Sequence, residues 1–301
     1  MSGFKNFAMG VLMLILAAYG AVKASMYFHA RYRVNLLLAP LARAAKVDYG
    51  DVTVSLFGPV GITDLSVVDR ENGARLTVEK TVVHDFEYER RELLPRRLYI
   101  TLDGVHVDGT LLREARRTPP QWIERSGFET VYRDGLNLAA LGYNELLANV
   151  ELDWHYDPIA GEANVRYHLD AEDMGDLELN MAVAGVAPGD LRRGMPGLSF
   201  RSASFRYEDA SFVRRLMAKE AERHHQATAA YQQGLASAVE TDLVNHEVAL
   251  DAASVNAIKQ FLVKPQRLVI TMQPFNAVPM KNLRFYKAGD IPMLLNTQVS
   301  N

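Results

Sequence analysis

The sequence predicts an α+β, β-dominant fold: an N-terminal transmembrane helix followed by antiparallel β-meander sheets, with one long and one short C-terminal helix packed on them. Three observations carry this reading. An uncharged apolar run, Phe7 to Val22, stands near the start of the chain. From Val47 onward, apolar and polar residues alternate with a period of two. After Asp209 the apolar spacing lengthens to that of an α-helix.

The first segment, Phe7 to Phe28, reads FAMGVLMLILAAYGAVKASMYF. A helix of about 20 residues spans roughly 30 Å of hydrocarbon. The segment reaches that length when Lys23 snorkels toward the headgroups. Val11, Leu12, Leu14, Ile15 and Leu16 form its apolar centre, and Tyr27, Phe28, Arg31, Tyr32 and Arg33 follow as an interfacial belt. The rival reading is a cleaved signal peptide, for which the small residues around Ala18, Gly20, Ala21 and Ala24 make poor cleavage sites. Orientation is contested by the charges. Lys5 precedes the segment while Lys23, Arg31 and Arg33 follow it, which favours a cytoplasmic C-terminal domain. A short N-terminal apolar segment acts as an export signal, and on that ground the domain is placed outside the cytoplasm.

The organisation expected from this reading is a cytoplasmic tip at 1–6, an anchor at 7–28 and a stalk helix at 29–46. A first β-meander follows at 47–118, and a second sheet with the C-terminal helices at 119–301. In the stalk, Val34, Leu37, Leu38 and Leu41 share one face, and Pro40 interrupts it. In the first meander, Val52, Val54 and Leu56 alternate with polar residues. Ile62, Leu65 and Val67 follow, and Asn72-Gly73 marks a hairpin. Leu76 and Val78 start the next strand, and Leu98, Ile100 and Leu102 form another that ends at Asp103-Gly104. Arg113, Arg116 and Arg117 precede Thr118-Pro119-Pro120 in a solvated loop between the two halves.

The second sheet has the clearest pattern. Leu152, Trp154 and Tyr156 lie on one face of the first strand; Val165, Tyr167 and Leu169 lie on one face of the second. Leu177, Leu179, Met181 and Val183 lie on one face of the third, and the intervening residues are polar. Phe205 and Tyr207 add a strand. A one-faced sheet must cover its apolar side. The predicted long helix runs from a cap at Asp209 or Ser211 to about Val244, and its apolar stripe thins to His224, Ala227 and Thr228 in the middle. A shorter helix, Ser254 to Val263, ends before Pro265, and Leu268, Ile270 and Met272 form a late strand. The thin cover leaves part of the apolar face for an acyl chain, so the ten residues from Leu152 to Val183 named above are the candidate lipid-facing set.

Chain chemistry narrows the classes further. The chain is 49% hydrophobic and 23% charged, a folded rather than a disordered composition. A net charge of −3 offers no basic excess for a phosphate backbone, so no nucleic-acid partner is expected. The absence of cysteine excludes disulfides, thiolate metal sites and a cysteine nucleophile. His246-Glu247 lacks a histidine at the position a zinc helix requires, since residue 250 is leucine. No nucleophile elbow, P-loop or dinucleotide fingerprint occurs. His155 and His168, on the polar faces of neighbouring strands, are the nearest approach to a metal pair. Asp153, Asp157, Asp170 and Asp173 read as solvated or turn residues. No enzyme, metal or cofactor is expected.

The phrases SLFGPVGITDLSV, ARLTVEKTVV and LPRRLYITLDGVHVDG lie in 47–109, followed by WHYDP at 154–158, DMGDLELNMAVAGV at 173–186 and FLVKPQRLVITMQP at 261–274. Together they resemble the repeat style of the AsmA-like and YdgA-like envelope proteins of Gram-negative bacteria. The resemblance covers most of the chain after the anchor. It implies an inner-membrane anchor, a periplasmic β-rich domain with an apolar groove, and non-catalytic lipid handling, with membrane lipid as partner. This chain is too short to bridge the envelope alone. The second class left open is a structural or adaptor subunit of an inner-membrane complex, with inner-membrane or periplasmic proteins as partners and the sheet and long helix as its interface.

Overall fold

The structure, a computed structural model, describes residues 26–28, 30–32, 34, 35, 38, 42, 45–55, 59–70, 73–87, 94–109, 138–187, 197–283 and 285–301. The expected anchor lies outside the described residues as far as residue 25. Among the described residues no helix is long and apolar enough to cross a membrane. The Arg113 to Pro120 loop likewise lies outside them.

The architecture is β-dominant α+β. Twelve strands, among the described residues, form one antiparallel sheet: β1 (Ala45–Asp48), β2 (Val52–Val54), β3 (Val60–Asp69), β4 (Arg75–Glu87), β5 (Arg97–Asp108), β6 (Glu145–Asp157), β7 (Glu162–Ala171), β8 (Gly175–Ala184), β9 (Ser199–Asp209), β10 (Arg267–Met272), β11 (Val278–Pro279) and β12 (Thr297–Ser300). Neighbours in sequence are neighbours in the sheet from β3 to β10, with β1 and β2 on one side and β12 on the other. The two sheets expected from sequence are therefore one, because β5 pairs with β6 along its length, from Arg97↔His155 to Asp108↔Glu145. The boundary expected at 118/119 falls in the connection between these two strands, and the sheet is continuous across it.

The strand break expected at Asp103-Gly104 is instead a bulge inside β5. The register to β6 shifts between Leu102 and Val105, so residues 103 and 104 face the single residue Asn149. Gly104 takes a left-handed φ of 63°, and its N–H donates to the Asn149 side chain at 3.0 Å. The extra residue runs through β4 and β3, where Val78 pairs with Val105 and Leu65 with Val78. Asp64, at the matching place in β3, has φ 52°. This shared irregularity returns Ile62 and Leu65, three positions apart, to one face. It also lets Leu102 and Val105 join one cluster around Val78, Ala148 and Ala171.

Helix α1 takes in residues 26–28, 30–32, 34, 35, 38 and 42 and packs Ala30, Val34 and Leu38 on Val52 and Ile62. Leu37 and Leu41 of the expected stripe lie outside the described residues. On the same face, Thr81 pairs with Ile62 and Leu102 and buries a hydroxyl that has no partner among the described residues. Thr81→Val, which keeps the shape and removes the unpaired group, is expected to raise stability by about 1–2 kcal/mol in urea denaturation.

The single long C-terminal helix expected from sequence is two: α2 (Phe212–Arg223) and α3 (Thr228–Asn245). The break falls where the apolar stripe runs out. His225 adopts φ 54°; its N–H donates to the Glu222 carbonyl and that of Gln226 to the Ala221 carbonyl, a Schellman closure. His225→Gly places the residue that tolerates this conformation there. It is expected to stabilise the chain by up to about 1 kcal/mol, read as a higher Tm. At the start of α2, Ser211 holds the N-cap position without a side-chain cap bond, and the Asp209 carboxylate accepts the Val213 N–H at 2.7 Å.

Helix α4 (Ala252–Val263) matches the expected short helix and is capped by Asp251 through the Ser254 N–H at 2.7 Å. It packs against β10 and β12, and its Phe261 ring meets Tyr207 edge-on with centroids 6.5 Å apart. Strand β12, Thr-Gln-Val-Ser, has no sequence periodicity of its own. It is held by β10 and by the Val299 N–H, which donates to the buried Ser254 hydroxyl at 2.8 Å. Ser254→Ala leaves that N–H unpaired and is expected to cost about 1–3 kcal/mol, with early hydrogen exchange at Val299 as the specific sign.

Candidate functional site

The register places apolar residues in straight rows across the sheet. The central row reads Val60, Val83, Ile100, Leu152, Tyr167, Leu179, Phe205, Ile270 and Val299, each paired with the next. Its two ends are covered: Val60 packs against the α1 cluster, and Val299 is buried beside α4. From Val83 to Ile270 every member is half-buried, and among the described residues none joins a closed core cluster. At about 4.8 Å between strands, those seven positions extend about 29 Å. That is close to twice the hydrocarbon depth of one leaflet, about 15 Å.

A row on each side runs parallel to it. On one side lie Leu98, Trp154, Val165, Met181, Ala203 and Met272; on the other lie Leu102, Val150, Leu169, Leu177, Tyr207 and Leu268. Beyond these, the apolar face closes at both strand ends. At one end Leu141, Tyr143 and Leu216 pack with Val107, Leu146 and Met174. At the other, Tyr156, Ala163, Val183 and Val186 form a buried cluster against Trp154 and Met181.

The sequence-derived set divides accordingly. Leu152, Tyr167 and Leu179 lie in the central row; Trp154, Val165, Met181, Leu169 and Leu177 lie in the flanking rows. Tyr156 and Val183, at 3% and 6% exposure, are sealed in the end cluster and take no part in the open face. Val83, Ile100, Phe205 and Ile270 complete the central row but stand outside the expected set. Their membership depends on the β5–β6 and β9–β10 pairings, and the alternation within each strand is the only sequence signal for it.

Polar groups border the face at chosen points. The Trp154 Nε1–H donates to the Pro95 carbonyl at 2.8 Å, which fixes the ring. The Tyr207 hydroxyl donates to Asp209 at 2.8 Å, and burial together with that carboxylate pushes its phenol upward. Burial also raises the Tyr167 phenol, which lies in the middle of the row.

The opposite face of β7 to β10 is a charged ladder. Glu178 accepts from Asn180 at 3.1 Å and pairs with Arg206 at 3.0 Å and Arg166 at 3.3 Å; these hold its carboxyl below the usual range. His168 meets Asp176 at 2.5 Å. Next to this ladder is a shallow cavity of about 400 Å³, lined by Asn164, Arg166, Asn180, Ser202, Ser204 and Thr271. The register separates the two histidines considered as a metal pair: His155 faces Asn164, and His168 faces Glu151. Among the described residues no cluster of three metal-ligating side chains occurs. Asp157 caps a turn by accepting the Ile159 and Ala160 N–H groups, and Asp173 sits in a turn at φ 60°.

A family model described as "Uncharacterized protein" matches residues 168–301, from within β7 through β12. No curated protein matches the chain.

Proposed function

We propose that this chain is a membrane-anchored, non-catalytic lipid-handling module of the bacterial envelope, with its β-rich domain in the periplasm and an acyl chain lying along the central row. The observation that supports it is the row from Val83 to Ile270, apolar, half-buried and outside the closed clusters. A folded core closes such rows; a face that receives an apolar ligand keeps them accessible. The AsmA-like and YdgA-like resemblance points to the same class of ligand. The rest of the face is suited to this role, because α2 and the 3-10 turn Leu138–Leu141 close one strand end and α4 covers the β12 edge.

A second reading, an adaptor subunit of an inner-membrane complex, draws on α3. That helix buries only Ala236 among its residues and leaves Val244 76% exposed. Native mass spectrometry of the full chain, extracted from bacterial membranes, separates the two. The lipid reading expects near-stoichiometric phospholipid or lipopolysaccharide on the folded protein. A folded, lipid-free chain carrying a protein partner overturns it in favour of the adaptor.

A further inference from the structure

We infer that one end of the sheet, the end where β6 passes to β7 and where β10 finishes, rests on a lipid surface, with Ile159 and Phe275 dipping into the headgroup layer. The inference rests on the reading of residues 7–28 as a membrane anchor.

The path of α1 decides which end faces the bilayer. The carbonyl of Ala42 accepts from Arg70, at the far end of β3. Asn35 accepts from Tyr49 at 2.7 Å, part-way along. Tyr27 donates to Asp51 at 3.0 Å, beside the start of β2, which pairs with the first residues of β3. The helix therefore runs antiparallel to β1 and β2, and its N-terminus points toward the strand end where β3 begins and β4 finishes. The apolar run Phe7 to Val22 lies a few residues before Tyr27, so the chain reaches the domain at that end.

Antiparallel pairing carries the same end across the sheet: Val60 pairs with Val83, Arg97 with His155, Asp157 with Glu162, Ala184 with Ser199 and Met272 with Thr297. That end exposes large apolar side chains. Ile159 is 97% exposed at the tip of the β6–β7 turn, held outward because Asp157 accepts the N–H groups of residues 159 and 160. Phe275 is 96% exposed just after β10, and Met293 is 68% exposed just before β12. The opposite end presents Arg70, Glu172 and Asp173 in its turns, with Val263 exposed at 43%. Exposed apolar tips at the anchored end suit an interface in which such side chains enter the headgroup layer. Met272 lies both in a row of the apolar face and in the cluster beneath this end, with Phe200, Leu283 and Ile291.

The test uses the full chain in phospholipid vesicles. Its lack of cysteine allows single labels at Ile159→Cys, Phe275→Cys and, at the opposite end, Glu172→Cys. Each carries a nitrobenzoxadiazole fluorophore, and part of the phospholipid carries a nitroxide on its acyl chain. Strong quenching at 159 and 275 with little at 172 is the expected result. Equal quenching at all three sites, or more at 172, overturns the inference. A chain that floats with the vesicles but shows no quenching at 159 and 275 overturns it while leaving the anchor intact. A chain that does not float removes the anchor and this inference with it.

Discussion

Leu179→Asp is expected to empty the apolar face of lipid while the chain stays folded. Leu179 is next to the middle of the central row, flanked by Tyr167 and Phe205 across neighbouring strands. It is half-buried, so a carboxylate there keeps contact with water and the sheet tolerates it. An acyl chain seated on it would have to desolvate that charge, at a cost of several kcal/mol, more than an apolar contact of this size returns. Lipid recovered per chain should fall by at least an order of magnitude, with circular dichroism and the urea midpoint near those of the parent. Retention of lipid by the folded variant would locate the bound molecule elsewhere.

Tyr156→Ala is expected to do the reverse, costing about 3–5 kcal/mol of stability. Tyr156 stands on the same face as Leu152, two residues on, but it is 3% exposed and packed against Ala163, Val183 and Val186. Its hydroxyl also donates to the Val186 carbonyl at 3.3 Å. Tyr167→Ala makes the paired comparison. That tyrosine is half-buried in the open row, so its loss should cost clearly less stability and more lipid. Equal losses of stability for the two tyrosines, measured by urea denaturation, would mean that the row is an ordinary core.

Strands β6 to β8 alternate cleanly because one face meets polar surroundings and the other does not, so the faces of Leu152, Tyr167 and Leu179 could be read directly. The union of the two meanders was not legible, because the β5–β6 pairing joins residues separated by a connection of more than 30 positions, a non-local contact that no local period reports. The bulge at Gly104 looked like a strand end because glycine after aspartate is a turn signal as often as a bulge. The broken helix was foreshadowed by its thin stripe at His224 to Thr228, but the left-handed His225 was not, since that conformation usually calls for glycine. Strand β12 was invisible because its single apolar residue, Val299, depends on β10 and on Ser254.

The most direct test of the lipid-bearing face is photocrosslinking in living cells from the full chain carrying Tyr167→benzoylphenylalanine, with the same probe at the exposed polar-face residue Asp153 as reference. A lipid-mass adduct at position 167 and none at 153 is the expected result. A protein adduct at 167, or no difference between the two positions, would contradict it.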